Sequence, residues 1–178
     1  IVPCRFSSSG WQTDLMNPLA TRKFLSLVHE RYWEAAGEEF GRTIRGIFTD
    51  EPRISGAVGT DRVPWSPVLP EFFRRRNGFS VETIYPLLFP GAGDSGEVRE
   101  ARRLYQECCT ALTVQNFYGE IAAWCHAHRI ALEGHFSGED SISCHAACFG
   151  DYLCAAAELD VPGIDAIWRQ IAPGSGEG

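Results

Sequence analysis

Residues 43–52 read TIRGIFTDEP, a short apolar run that ends in polar residues. The β-branched and aromatic residues within 43–48 predict a strand, and the polar residues after them predict its end. Two further runs, 130–136 and 159–161, have the same form, and polar residues follow each of them. Short strands with polar C-terminal ends are typical of parallel sheets that carry a functional site at that edge.

Helical patterns occupy the stretches between these strands. Asn17 and Pro18 predict a helix start, because Asn caps a helix N-terminus and Pro fits the first helical position. The predicted helices cover residues 18–40, 69–77, 81–89, 97–128 and 143–158. The alternation of helices and strands predicts an α/β fold with a parallel sheet.

The length of the chain bears on which α/β fold it forms. A complete (β/α)8 barrel needs about 250 residues, whereas the chain has 178. We therefore predict a partial (β/α)8 TIM barrel, with helices outside parallel strands, and residues 1–178 as part of a longer catalytic domain. Both ends of the sequence resemble the interior of a domain, which agrees with a fragment. A complete small doubly wound domain is the alternative, although it lacks a G-x-G-x-x-G phosphate loop.

Composition and charge exclude several classes of partner. The net charge of -7 and the pI near 5.2 come without a basic stripe, which argues against a nucleic-acid partner. The sequence has no run of about 18 consecutive apolar residues, so it predicts no membrane span.

The seven cysteines are odd in number, lack the spacing of a disulfide scaffold, and several fall in helical apolar patterns. Free thiols and a cytoplasmic location are favoured, while a secreted or periplasmic location stays open.

The first chemistry-bearing motif is the acidic pair at the end of the first predicted strand. Asp50 and Glu51 are adjacent, and Pro52 fixes the turn after them. Two neighbouring carboxylates repel each other, so partial desolvation would raise the pKa of one of them, as a general acid requires. A solvated acidic turn is the other interpretation of the same residues.

The second motif lies at the end of the second predicted strand. Glu133 and His135 share one face of that strand, and Gly134 between them permits close approach of backbone or ligand. Glu139 and Asp140 follow within a few residues. Four such groups in eight residues indicate a binding or catalytic site, and the alternative is a histidine that is simply bonded to a neighbouring carboxylate.

Two further patterns have mainly structural interpretations. A zinc site could use Cys144 and Cys148, which share a helical face, together with His126, His128 and His145. The spacing of the two cysteines is not that of a zinc knuckle, however. Trp65 lies in a loop, where its ring could stack on the apolar face of a sugar, although most tryptophans are core residues.

Five segments, in order, resemble the α-L-rhamnosidase-like glycoside hydrolases, family 106 and its relatives. The segment 13–24 is similar to the family's DLLNPEAT…F, and 44–52 is similar to I-x-G-I-F-T-D-E-P. The remaining three are 65–73, similar to W…LP…F, 124–140, similar to WC…GH…ED, and 161–165, similar to VPGID. The resemblance spans nearly the whole chain.

The resemblance implies a (β/α)8 catalytic domain that cleaves glycosidic bonds in plant-type glycans or glycosides, with a carbohydrate as partner. It implies Glu51 as proton donor and Glu139 as the second carboxylate, whereas Glu133 stands where a small residue is expected. The substrate-binding residues predicted with them are Asp50, Glu133, His135, Asp140 and Trp65. The family's calcium ion at the sugar is also implied, without an indication of its ligands.

Two alternatives to a glycosidase remain from the sequence. One is a non-catalytic carbohydrate-binding relative, which active-site carboxylates too far apart to cooperate would favour. The other is a zinc-dependent hydrolase with His and Cys ligands. The sequence does not indicate the oligomeric state.

Overall fold

The structure is a computed structural model that describes residues 5–6, 13–54, 56–138 and 141–165. The helices are α1 (Pro18–Leu27), α2 (His29–Ala36), α3 (Leu69–Asn77), α4 (Gly96–Thr113), α5 (Gly119–Ala127), α6 (Ile142–Cys148) and α7 (Tyr152–Ala156). The strands are β1 (Arg5–Phe6), β2 (Gly46–Asp50), β3 (Arg62–Val63), β4 (Ala131–His135) and β5 (Val161–Pro162). Within these described ranges, no helix is both long enough and apolar enough to cross a membrane.

The predicted parallel sheet is confirmed. Its three strands have the order β2–β4–β5, and both pairs run parallel. The first strand begins at Gly46, later than predicted, and extends to Asp50, which lies opposite His135. The other pair, β1 with β3, is parallel and was not predicted. The described strands do not include a closed barrel, so the barrel stays a prediction.

Two of the predicted long helices are interrupted. The helix predicted for 18–40 breaks at Val28, and α2 then starts at His29, which is buried. The helix predicted for 97–128 contains a π-helical turn, Val114–Tyr118, between α4 and α5. Apolar residues recur in this segment at positions 98, 101, 105, 108 and 112, and after a spacing of five at 117, 121 and 124. A π-turn adds one residue to the helical repeat, which accounts for this shift in phase.

The predicted helix 143–158 divides into α6 and α7 at Gly150. This glycine has a positive φ of 83°, a backbone conformation that glycine adopts at little cost. A Cβ at this position would lie 2.6 Å from Thr110 Oγ1, so the backbone approaches α4 closely here. A side chain at position 150 would have prevented that packing.

Two hydrophobic clusters hold the helices. The first lies around α3 and α4 and includes the fully buried Phe73 and Tyr105. The second packs α5 against the sheet through Ile121 and Leu132, with the buried Tyr118 beside them. Because Leu132 is in the middle of β4, this second cluster fixes the strand whose C-terminal end carries His135.

The six described cysteines are free, and Cys4 lies outside the described residues. Cys109 and Cys125 are buried, and burial raises the pKa of both thiols, that of Cys125 to about 11. Cys144 and Cys154 are exposed instead, contrary to the expectation that the helical cysteines lie in apolar stripes.

Candidate active site

The C-terminal ends of the three parallel strands bring together Glu51, His135 and Asp165. Glu51 directly follows β2, His135 ends β4, and Asp165 lies just beyond β5. One oxygen or nitrogen atom from each side chain lies within 4.8 Å of the other two. Residues distant in sequence meet here because parallel strands point their C-terminal ends toward the same edge.

The imidazole of His135 is held in place from two sides. Its Nε2 donates a hydrogen bond to Asp50 Oδ1 at 2.9 Å, and the Phe48 ring lies against it at a centroid distance of 5.6 Å. The side chain of His135 is 10% exposed, whereas that of Asp50 is 79% exposed. A hydrogen bond to a carboxylate fixes both the orientation and the tautomer of a histidine. Asp50 therefore holds the His135 ring in one orientation beside Glu51 and Asp165.

The backbone at Glu51 is unusual. Glu51 has a φ of 45°, in the left-handed region that few residues other than glycine adopt. A residue before proline normally takes an extended conformation, and Glu51 does not. Strained backbone of this kind persists where the surrounding structure enforces it, often at functional sites.

Gly134 allows β4 to approach β2 closely. A Cβ at Gly134, where φ is 156°, would lie 2.3 Å from the carbonyl oxygen of Thr49. On the other side, the Gly163 N–H donates to the Gly134 carbonyl oxygen at 2.7 Å. The sequence predicts close approach at this glycine, and the approaching group in the structure is the backbone of Thr49.

A cavity of about 380 Å³ opens beside the C-terminal end of β2. Thr49, Asp50 and Glu51 line one side, while Phe24 and His29 from α1 and α2 line another. Ligand pockets in proteins usually measure about 300–1,000 Å³. The volume is therefore large enough for a small molecule, and Glu51 is among the lining residues, whereas His135 and Asp165 are not.

The structure separates two other predicted residues from this cluster. The carboxylate of Glu133 lies over Gly46, where a Cβ would be 2.6 Å from Glu133 Oε1, so it points to the start of β2. Trp65 is 41% exposed, does not line the cavity and is hydrogen-bonded with Tyr85. Glu139 and Asp140 lie outside the described residues.

The histidines considered as zinc ligands make structural contacts instead. His126 Nε2 bonds the Asp160 carboxylate at 2.9 Å, and His128 stacks on Trp124 at a centroid distance of 3.9 Å. His145 stacks on Tyr152 at 4.3 Å. Within the described part of the chain, these groups do not join Cys144 and Cys148 in a metal cluster.

Asp165 is the member of the cluster that the sequence analysis did not assign. Its position at the end of VPGID repeats the pattern of a short strand followed by a polar residue. The polar residue after a short strand could therefore have been recognised in the sequence. However, β5 is only two residues long, and the sequence does not indicate its register with β4.

The chain shares its fold with part of a rhamnosidase. This solved structure, the rhamnosidase from Novosphingobium sp. PP1Y, superposes with a TM-score of 0.62 at 20% sequence identity. The match covers 84% of this chain and 13% of the rhamnosidase chain. No protein-family model and no curated protein sequence matches the chain.

Proposed function

We propose that this chain carries part of the active site of an α-L-rhamnosidase-like glycoside hydrolase that acts on plant-type glycosides. The observation that carries the proposal is the meeting of Glu51, His135 and Asp165 at the C-terminal ends of parallel strands. Glycoside hydrolysis requires two carboxyl groups on either side of the scissile bond. The fold shared with a rhamnosidase supports the same conclusion.

In this proposal Glu51 is the general acid. It donates its proton to the glycosidic oxygen as the bond between that oxygen and the anomeric carbon breaks. The exposed position of Glu51 at the cavity places its carboxyl group where a leaving group can reach it. His135, held by Asp50, orients the sugar between the two carboxyl groups.

We assign the second carboxylate to Asp165, and Glu139 from the sequence analysis is the competing assignment. Retaining glycosidases separate the two carboxyl groups by about 5–5.5 Å and inverting ones by about 6.5–9.5 Å. One oxygen of Glu51 and one of Asp165 lie within 4.8 Å of each other, which is nearer to the retaining range than to the inverting range. Direct attack by Asp165 would give a product with retained configuration. An inverted product would assign activation of water to another carboxylate, and Glu139 is then the candidate.

Calcium, which the family resemblance implies, does not fit the described donor set. Calcium takes about 6–8 oxygen ligands, whereas Glu51, His135 and Asp165 offer two carboxylates and one imidazole. A carboxylate–imidazole set suits zinc or a similar cation better. No step of the proposed mechanism therefore involves calcium.

A metal-dependent hydrolase is the second candidate function. The same three side chains favour it, because His135 is also bonded to Asp50 and metal-binding histidines usually carry such a carboxylate partner. A divalent cation held by Glu51, His135 and Asp165 would supply Lewis-acid chemistry. Its activity would be lost on dialysis against a chelator, whereas the activity of a two-carboxylate glycosidase would not.

The test uses an intact enzyme that includes this segment. Glu51→Gln should lower the turnover of a natural glycoside by roughly 10²–10⁴-fold, the usual contribution of general acid catalysis. Nitrophenyl glycosides should be affected least, because their leaving group needs no proton. Glu97→Gln, a change at an exposed position in the first turn of α4, is the matched control. Unchanged hydrolysis in Glu51→Gln would contradict the proposal.

A further inference from the structure

The cavity beside Glu51 has an inner wall that the proposed chemistry does not use. Thr21 and Phe24 of α1 and His29 of α2 line it, opposite the end of β2. Thr21 is 1% exposed and His29 is 4% exposed. The break between α1 and α2 at Val28 directly precedes His29, whose ring is turned into the protein.

The polar atoms of this wall lack partners among the described residues. Neither ring nitrogen of His29 accepts or donates a hydrogen bond there, and the same holds for the hydroxyl of Thr21. Buried polar side chains in proteins are nearly always hydrogen-bonded. Two orphaned groups on one cavity wall therefore indicate a polar ligand rather than packing alone.

The chemistry of the wall defines the ligand class. Burial lowers the pKa of His29, against a smaller opposing effect of Glu30, so the ring is neutral and offers one donor and one acceptor. The Thr21 hydroxyl also both donates and accepts. Hydroxyl groups of a ligand can satisfy both residues, whereas a carboxylate can only accept and an ammonium can only donate.

Two aromatic side chains in the lining of the cavity are partly exposed. Phe24, 38% exposed, lies edge-on to the His29 ring at a centroid distance of 5.2 Å. Phe48, 59% exposed, lies on the β2 side of the same cavity. A sugar ring combines several hydroxyl groups with an apolar C–H face, and aromatic side chains provide the surface for that face.

We propose that this cavity binds a sugar ring through hydrogen bonds from His29 and Thr21 to two of its hydroxyl groups, with Phe24 and Phe48 against its apolar face. The inference rests on the proposed function, because Glu51 lines the same cavity. Rotation of the partly exposed Phe24 side chain gives the sugar access to His29. The two residues then determine which arrangement of hydroxyl groups the site accepts.

The test measures binding of free sugars to the 178-residue chain by ligand-observed NMR, with L-rhamnose, D-glucose, D-galactose and D-xylose as probes. At least one should bind, and His29→Phe and Thr21→Val should each weaken it by about tenfold or more, the value of a lost hydrogen bond. The melting temperature should stay the same or rise, because each change removes an unsatisfied buried polar group. If His29 had only a structural role, His29→Phe would lower the melting temperature.

His126→Gln is the matched control, since this histidine is 56% exposed and lies outside the cavity lining. Its affinity for the sugar should equal that of the unchanged protein. The proposal is overturned if none of the four sugars binds, or if the bound sugar has the same affinity for His29→Phe. The proposed function can fail independently of this proposal. If sugar binding depends on His29 but Glu51→Gln keeps full activity in the intact enzyme, the sugar site is supported and the glycosidase mechanism is rejected.

Discussion

At the scale of single residues, the site depends on side chains whose positions are enforced by tertiary contacts. Glu51 keeps a left-handed backbone although it is not a glycine. His135 is buried and bonded to an exposed aspartate of the neighbouring strand. His29 and Thr21 are buried with no hydrogen-bond partner among the described residues. The left-handed backbone and the two buried groups without partners cost stability, and such costs concentrate where a protein binds or reacts.

The strain at Glu51 leads to a stability prediction. Glu51→Gly should raise the free energy of unfolding by about 1 kcal/mol, because glycine adopts this backbone without the cost of a Cβ. The same change should abolish the proposed acid catalysis in the intact enzyme. Urea unfolding measures the first effect, and hydrolysis of a natural glycoside measures the second.

Arg129 provides a control, because it is the other described non-glycine residue with a positive φ, 63°. Arg129→Gly should stabilise the protein by a similar amount and leave activity intact. If Glu51→Gly instead destabilises the protein, the backbone at Glu51 is not strained.

At the scale of elements, the close pairing of β2, β4 and β5 sets the geometry of the site. The β2–β4 register places Asp50 opposite His135, and the contact from Gly163 to Gly134 brings the chain after β5 to the same edge. The two-residue β5 contributes little by itself, so Asp165 depends on its attachment to β4.

Gly134→Ala tests this pairing. The new Cβ would lie 2.3 Å from the Thr49 carbonyl oxygen, which is backbone and cannot move aside cheaply. We expect the free energy of unfolding to fall by about 1–3 kcal/mol, as overpacking usually costs. Gly96→Ala is the control, since a Cβ there meets no atom within 4 Å. Equal stability of the two variants, measured by urea unfolding, would show that β2 and β4 are not in close contact at Gly134.

At the scale of the whole molecule, each outer strand of the sheet carries an exposed apolar side chain. Phe48 on β2 is 59% exposed and Val161 on β5 is 52% exposed, and each of these strands pairs with β4. Parallel sheets normally have both faces covered within larger α/β folds. The arrangement is compatible with the predicted partial barrel, and the barrel itself remains a prediction.

Thiol reactivity is a second property of the whole molecule. Under denaturing, non-reducing conditions, thiol titration should count about seven free thiols, one for each cysteine of the sequence. In the native protein at pH 8, Cys144 should react first, because it is exposed, while burial raises the pKa of Cys109 and Cys125. Thiolates are the reactive form, so these two should react only as the protein unfolds. A count well below seven would indicate a disulfide.

The sequence alone predicts the strands of the β2–β4–β5 sheet, their parallel arrangement, and Glu51 and His135 as residues at the strand ends, whereas the β1–β3 pair was not predicted. These follow from local patterns, since apolar runs, polar ends and the alternation with helices can be recognised without knowing any contact. The motif at 44–52 also led to the glycosidase resemblance. In the sequence, the π-turn appears only as a change in the spacing of the apolar residues. That spacing reflects the direction in which side chains point and not which backbone groups are hydrogen-bonded.

Which side chains meet depends on contacts between distant segments of the chain. Glu133 and His135 share a strand face, yet the Glu133 carboxylate lies over Gly46 while His135 bonds Asp50. Asp165 enters the site through the pairing of β5 with β4, and His29 faces the cavity because the helix breaks at Val28. Strand register and helix packing arise from contacts between distant segments. Periodicity within one segment does not specify them, because shifting a strand by one residue reverses the face of every side chain.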